Sequence, residues 1–136
     1  MSDKTTANLP KALFILRWSI FLFLVPWVME KFTEPETTAK IFAHFYKIDN
    51  LPVAGSYAVG GLWAALLLAF VLGFKKRFSY GLVALFHGVA TLTSIHYMLP
   101  FLETYNHLFL AAIPTLGGMI LLYILREHDT IGTMEK

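Results

Sequence analysis

The sequence predicts an all-α membrane protein, a polytopic four-helix bundle with an additional interfacial amphipathic helix. The chain is 57% hydrophobic and only 15% charged, whereas soluble domains are about 45–50% apolar and about 25% charged. Four apolar runs are each long enough to cross a bilayer, for which about 20 residues suffice. The chain has no cysteine, which excludes disulfides, thiol redox chemistry and Cys-type zinc sites.

Each of the four spans is placed by an apolar run and by the residues that stop it. Pro10 suits the first turn of the first helix, and Pro26 is expected to kink that helix farther along. The second span is rich in glycine and alanine, which let helix backbones approach closely. Pro100 ends the third span. The predicted spans, within one membrane domain of residues 1–136, are residues 11–30, 53–74, 78–99 and 106–125.

A fifth helix is predicted between the first two spans. Thr33 and Glu36 have the T-x-x-E spacing of a capping box, and Pro35 lies in the first turn. From residue 34 to residue 48, apolar residues gather on one arc, with Lys40 and Lys47 opposite. About 14 residues are too few to span a bilayer, so this segment is predicted to lie along the membrane surface.

The lysines and arginines of the loops orient the predicted bundle. With four spans, both termini and the loop between the second and third spans lie on one side. That side carries Lys4, Lys11, Lys75, Lys76, Arg77, Arg126 and Lys136, whereas the other side carries Lys31, Lys40 and Lys47. The positive-inside rule therefore places both termini in the cytoplasm. These basic residues form no patch of the kind that binds nucleic acid, so the lipid bilayer is the expected partner.

A polar stripe runs along the third predicted span. At about 100° per residue, Tyr80, His87, Thr91 and Ser94 share one helix face. Unsatisfied polar groups are costly in hydrocarbon, so this face must meet protein, water or a ligand. Arg17 lies near the depth of His87, on the cytoplasmic half. We expect Arg17 to snorkel to the lipid headgroups, or to contact a headgroup or a partner subunit.

His87 has three candidate roles, because an ionisable group deep in a membrane helix is a functional candidate by default. It could donate a hydrogen bond to a quinone carbonyl, in a cofactor site shared with the polar stripe and Arg17. It could ligate a haem, although no other histidine lies at its depth to serve as second ligand. The third role is hydrogen bonding between helices, without any cofactor.

A second candidate site lies on the periplasmic side, opposite the side of the two termini. Imidazole and carboxylate groups together suit zinc, copper or iron. Water and headgroups also satisfy such residues at helix ends, and no H-x-x-H or E-x-x-H spacing supports a metal. A metal site and simple interfacial residues therefore both stay open. The residues of this candidate metal site are His96, His107, His44 and Glu30.

No motif for autonomous catalysis is present in the sequence. The serines have no G-x-S-x-G context, and the chain has no P-loop, no G-x-G-x-x-G and no H-E-x-x-H. Hydrolase or nucleotide chemistry by this chain alone is therefore not expected.

Several features occur in the order typical of a known family. An arginine early in the first helix is followed by Lys31-Phe32-Thr33-Glu34-Pro35, an amphipathic segment and a proline before the second helix. The stretch from Leu66-Leu67-Leu68 to Gly73 and Arg77 then reads L-L-L-x-x-x-L-G-x-x-x-R. Together these features resemble the DoxX-like family of small four-helix membrane proteins, in which a histidine often occurs at the position of His96.

The resemblance implies a function. The family includes small subunits similar to those of thiosulfate:quinone oxidoreductase and proteins associated with other membrane redox complexes. It therefore implies a small subunit of a redox complex in the bacterial inner membrane, beside a larger protein subunit, with quinone as the candidate cofactor and metal or haem less favoured. The alternatives are a structural or assembly subunit without cofactor, and a periplasm-side metal-binding membrane protein.

Overall fold

The computed structural model describes residues 2–95 and 110–135, and every regular element in this part of the chain is helical. The prediction of an all-α protein is therefore confirmed for the described residues. The elements are α1 (Asp3–Thr33), α2 (Pro35–Tyr46), α3 (Val53–Val71), α4 (Lys76–Thr93) and α5 (Ala112–Ile124), followed by a short 3-10 turn (Arg126–His128).

Helix α1 begins earlier than the apolar run that predicted it. Ser2 caps the helix, because its hydroxyl oxygen accepts a hydrogen bond from the backbone N–H of Thr5 at 3.2 Å. Pro10, expected in the first turn, consequently lies inside a helix that continues through Pro26. Residues 2–8 are all exposed, so this additional segment projects from the bundle instead of packing within it.

Helices α1 and α2 are separated by Glu34 alone. The predicted capping box does not form, because Thr33 still belongs to α1, where its hydroxyl donates to the carbonyl of Met29, and Glu34 is the N-cap of α2 without a side-chain hydrogen bond. Pro35 takes the first position of α2, where its missing N–H costs no hydrogen bond. Helix α2 ends in a left-handed residue, Lys47, with φ 60°, and it packs against α1, α3 and α4.

The helices pack around one apolar core. Helices α1 and α4 each contact both α3 and α5. Gly60 brings α3 close to α1, since a Cβ at this position would lie 2.9 Å from the Phe32 ring. The neighbouring Gly61 faces open space. The buried members of this core cluster are Leu13, Ile20, Leu24, Val28, Leu67, Phe70, Tyr80, Val83, Met119 and Leu122.

One end of the bundle is formed by the turn between α3 and α4, and the chain that follows α5 folds back on it. Gly73 ends α3 with a left-handed backbone, φ 60°. The backbone N–H of Met134 donates to the Leu72 carbonyl at 2.7 Å, and that of Glu135 donates to the Gly73 carbonyl at 3.1 Å. We call residues 129–135 the closing strap, and this end of the bundle the closed end.

Two of the described helices, α1 and α3, are long and apolar enough to cross a membrane. The described part of α5 is a shorter apolar helix, and α4 begins with Lys76 and Arg77. The predicted third and fourth spans, residues 78–99 and 106–125, both include residues that lie outside the described part of the chain.

Candidate functional site

His87 contacts the backbone of a neighbouring helix. Its Nε2 lies 3.1 Å from the carbonyl oxygen of Ala112, in the first turn of α5. The imidazole also meets the Phe23 ring of α1 edge-on, with ring centroids 5.8 Å apart. One side chain of α4 therefore contacts both α5 and α1.

The two hydroxyl groups beyond His87 on the polar stripe hydrogen-bond within α4 itself. Thr91 donates to the carbonyl of His87 at 2.8 Å. Ser94 donates to the carbonyl of Ala90 at 2.8 Å. Such back-bonding is the common way for serine and threonine to satisfy their hydroxyl group inside a helix. Each hydroxyl proton of this pair is thus already engaged by the backbone.

The Ala112 contact determines which nitrogen of His87 carries the proton. A carbonyl oxygen only accepts hydrogen bonds, so Nε2 must be the protonated nitrogen. In a neutral imidazole with that tautomer, Nδ1 is an acceptor. A quinone carbonyl needs a donor, so His87 would have to leave Ala112 or gain a second proton to bind one. The observed geometry therefore favours a bond between helices over a bond to a quinone.

Tyr80 and Arg17, the other two predicted cofactor ligands, lie together at the closed end, away from His87. Tyr80 precedes His87 by two helical turns, about 10 Å along the axis. Its hydroxyl donates to Asp129 Oδ2 at 2.6 Å. Arg17 Nη1 donates to Asp129 Oδ1, also at 2.6 Å. The two residues thus share one carboxylate, which the sequence analysis had not connected with either of them.

The expectation that Arg17 snorkels to the lipid headgroups is wrong. Its side chain is 0% exposed, as is that of Asp129. Its second terminal nitrogen, Nη2, donates to the carbonyl of Ile131 at 2.6 Å. A guanidinium presents donors in a fixed planar fork, and here the fork takes one side-chain oxygen and one backbone oxygen of the closing strap. The Nε of Arg17 is buried without a partner among the described residues.

A second buried cation completes this polar cluster. Lys76, at the start of α4, is 3% exposed. Its Nζ donates to the backbone carbonyl of Asp129 at 2.6 Å and to that of Arg126 at 3.2 Å. Its backbone N–H donates to the carboxylate of Glu135 at 2.8 Å, which places a negative charge at the N-terminus of α4, where the helix dipole favours it.

Sequence reasoning missed Asp129 and Lys76 because both lie in segments that read as charged ends. The sequence does contain one signal for the pairing. An arginine well inside an apolar helix needs an acidic partner, and the residues after α5 are among the few that carry carboxylates. The pattern does not tell which of Glu127, Asp129 or Glu135 is the partner.

The candidate metal residues are only partly within the described chain. His96 and His107 lie outside it. His44 is exposed on α2, with its ring edge-on to Phe45, and Glu30 is half-buried near the end of α1. No group of three or more histidine, aspartate or glutamate side chains that could hold a metal ion occurs in residues 2–95 and 110–135.

One cavity lies at the C-terminal end of α1, and a second lies at the N-terminal end of α4. One, of about 510 Å³, is an open apolar groove along the end of α1, between Pro26 and Glu34. The other, of about 540 Å³, is a polar basin at the closed end. The residues that line the basin are Lys76, Arg77, Arg126, Glu127 and Glu135. Neither of these two cavities includes His87, Thr91 or Ser94.

No family model matches this chain, and no curated protein and no solved structure matches it either. The resemblance to the DoxX-like family therefore stays a prediction from the sequence.

Proposed function

We propose that this protein is a multi-pass subunit of the bacterial inner membrane with a structural or assembly role, and that it binds a larger membrane protein. Both termini and the closed end face the cytoplasm in this proposal. The observation that carries it is the hydrogen bond from His87 to the Ala112 carbonyl. His87, a candidate cofactor ligand, contacts a neighbouring helix here, and polar groups in membrane bundles join helices in this way.

The membrane setting is supported by the outward-facing side chains. Large apolar residues are exposed along α1 and α4, including Leu22 at 65%, Phe78 at 62% and Leu92 at 68%. Exposed apolar side chains that form large patches mark contact surfaces for a membrane or for another protein. Helices α1 and α3 also have the length that a bilayer requires.

The partner surface in this proposal is the open glycine face of α3. A Cβ added at Gly61 would meet no atom of the described residues within 4 Å, whereas one at the adjacent Gly60 would press on Phe32. Gly60 therefore serves the internal packing, and Gly61 is available for a helix outside this chain. Small residues at such a position let two membrane helices approach closely.

The experiment is purification of the tagged chain from its native membranes in a mild detergent, with analysis of the accompanying proteins and small molecules. We expect a larger membrane protein to accompany the wild-type chain. Gly61→Leu should lose that protein, while the helix content of the purified chain stays unchanged, because no side chain of residues 2–95 or 110–135 lies near Gly61. Gly61→Ala is the matched control and should keep the partner. A wild-type chain without a partner, or equal recovery with Gly61→Leu, would contradict the proposal.

His87→Leu tests the role of the imidazole in the same preparation. We expect a loss of about 0.6–2 kcal/mol in the stability of the purified protein, the range for one polar contact between membrane helices. His87→Gln, which keeps an N–H donor, should lose less. Thermal unfolding followed by circular dichroism measures both. If instead quinone accompanies the wild-type chain at about one molecule per chain and is absent from His87→Leu, the redox-subunit function replaces the structural one.

A further inference from the structure

We infer that the closing strap is a latch that opens and closes separately from the helix bundle and controls whether water reaches Arg17 and Lys76. The strap covers both cations in the structure, since Arg17 is 0% and Lys76 is 3% exposed. This inference concerns the closed end alone and does not depend on the proposed role in assembly.

The strap is held mainly by polar contacts. The apolar core extends along the chain no farther than Leu125 among the described residues. Within the strap, Ile131 remains 39% exposed and Met134 64% exposed. Segments with few buried apolar contacts open at a lower free energy than the core they lie on. The strap therefore has the composition of a locally opening unit.

The stability of the closed strap depends on the charge of Asp129, but the buried ion pair does not hold the strap closed permanently. Burying Arg17 and Asp129 removes both from water, and that desolvation offsets most of their attraction. When the strap opens, both groups regain water, so opening costs less than the short distances suggest. When the carboxylate alone is neutralised, Arg17 stays buried without its counter-ion in the closed state. That closed state then becomes unfavourable.

The open state differs chemically from the closed one. In the closed state, Arg17, Lys76 and the Tyr80 hydroxyl all donate to atoms of the strap or of the turn before it. Once the strap leaves, water reaches Arg17, the Tyr80 hydroxyl and Lys76, although Lys76 keeps the Arg126 carbonyl as an acceptor. The latch thus switches this end between a covered surface and one with two exposed positive charges.

Cysteine labelling tests the latch, because the chain has no native cysteine. Thr133→Cys reports on the strap: Thr133 is 7% exposed, and its hydroxyl has no partner among the described residues. Ser79→Cys reports on the bundle at the same end, since Ser79 in α4 is 3% exposed. We expect a water-soluble maleimide to label Thr133→Cys at least about 10-fold faster than Ser79→Cys, because local opening precedes global unfolding.

Asp129→Asn should accelerate the labelling of Thr133→Cys by about 100-fold, from the cost of an uncompensated buried charge. The labelling of Ser79→Cys should stay slower than that of Thr133→Cys in the Asp129→Asn background as well, because the strap still opens before the bundle unfolds. Glu127→Gln is the matched control, because it removes a carboxylate that is exposed, and it should leave both rates unchanged. Equal rates for the two reporters in either background, or no increase for Thr133→Cys in Asp129→Asn, would each overturn the inference.

Discussion

Arg17→Met is expected to destabilise the protein by about 3–5 kcal/mol, the usual cost of removing one partner from a buried ion pair. Methionine fills a similar apolar volume but leaves the Asp129 carboxylate buried, with Tyr80 as its remaining side-chain donor. The carbonyl of Ile131 loses its partner as well. Thermal unfolding in detergent should show a midpoint lower by roughly 10 °C.

The double variant Arg17→Met/Asp129→Asn separates the contribution of the ion pair from the loss of packing at Arg17. Two residues in direct contact are not additive, so the double variant should lose less stability than the sum of the two single variants. Arg77→Met is the control, because Arg77 is exposed beside the same turn and should change stability by less than about 0.5 kcal/mol. Equal effects of Arg17→Met and Arg77→Met would show that the buried pair does not stabilise the closed end.

Gly73→Ala is expected to have the second-largest effect, a loss of at least about 2 kcal/mol. A left-handed backbone at a residue with a Cβ costs about 1–2 kcal/mol, and Gly73 has φ 60°. The added Cβ would also lie 2.5 Å from the Thr133 side chain and 3.1 Å from its Cα, so the closing strap must shift. The destabilisation therefore includes both the backbone strain at residue 73 and the partial loss of the strap's contacts.

Gly61→Ala provides the comparison for Gly73→Ala, since the same methyl group is added in open space. Alanine is a better helix former than glycine by up to about 1 kcal/mol, so this variant should be neutral or stabilising. Thermal unfolding measures both variants under one condition. A Gly73→Ala protein as stable as Gly61→Ala would mean that the strap does not pack on the turn as described.

The helices were predictable because apolar runs and their stop signals are local. The predicted amphipathic segment, residues 34–48, compares with an observed α2 of Pro35–Tyr46. The early start of α1 was not predicted, because residues 2–10 carry no apolar run and depend on a cap at Ser2. The helix in residues 2–10 depends on local helix propensity and the Ser2 cap, whereas the prediction considered only hydrophobicity.

The polar contacts were harder to predict because each of them joins residues far apart in the chain. The stripe of α4 was visible from helical spacing, yet the partner of His87 is a backbone carbonyl, and every residue has one. The partner of Arg17 is 112 residues away, in a segment whose charges suggested a solvated tail. Helical periodicity identifies which face of a helix is polar. The partner of a polar side chain on that face depends on how the whole chain folds.

In the proposed topology, the bundle is embedded in the membrane and its closed end faces the cytoplasm. Single-cysteine labelling in spheroplasts with a membrane-impermeant maleimide tests it most directly, at three positions that are exposed in the structure, Lys47, Lys75 and Met134. Lys47→Cys should react from outside, whereas Lys75→Cys and Met134→Cys should react only after the membrane is permeabilised. Labelling of Lys47→Cys and Lys75→Cys from the same side, or of Lys75→Cys and Met134→Cys from opposite sides, would contradict the account.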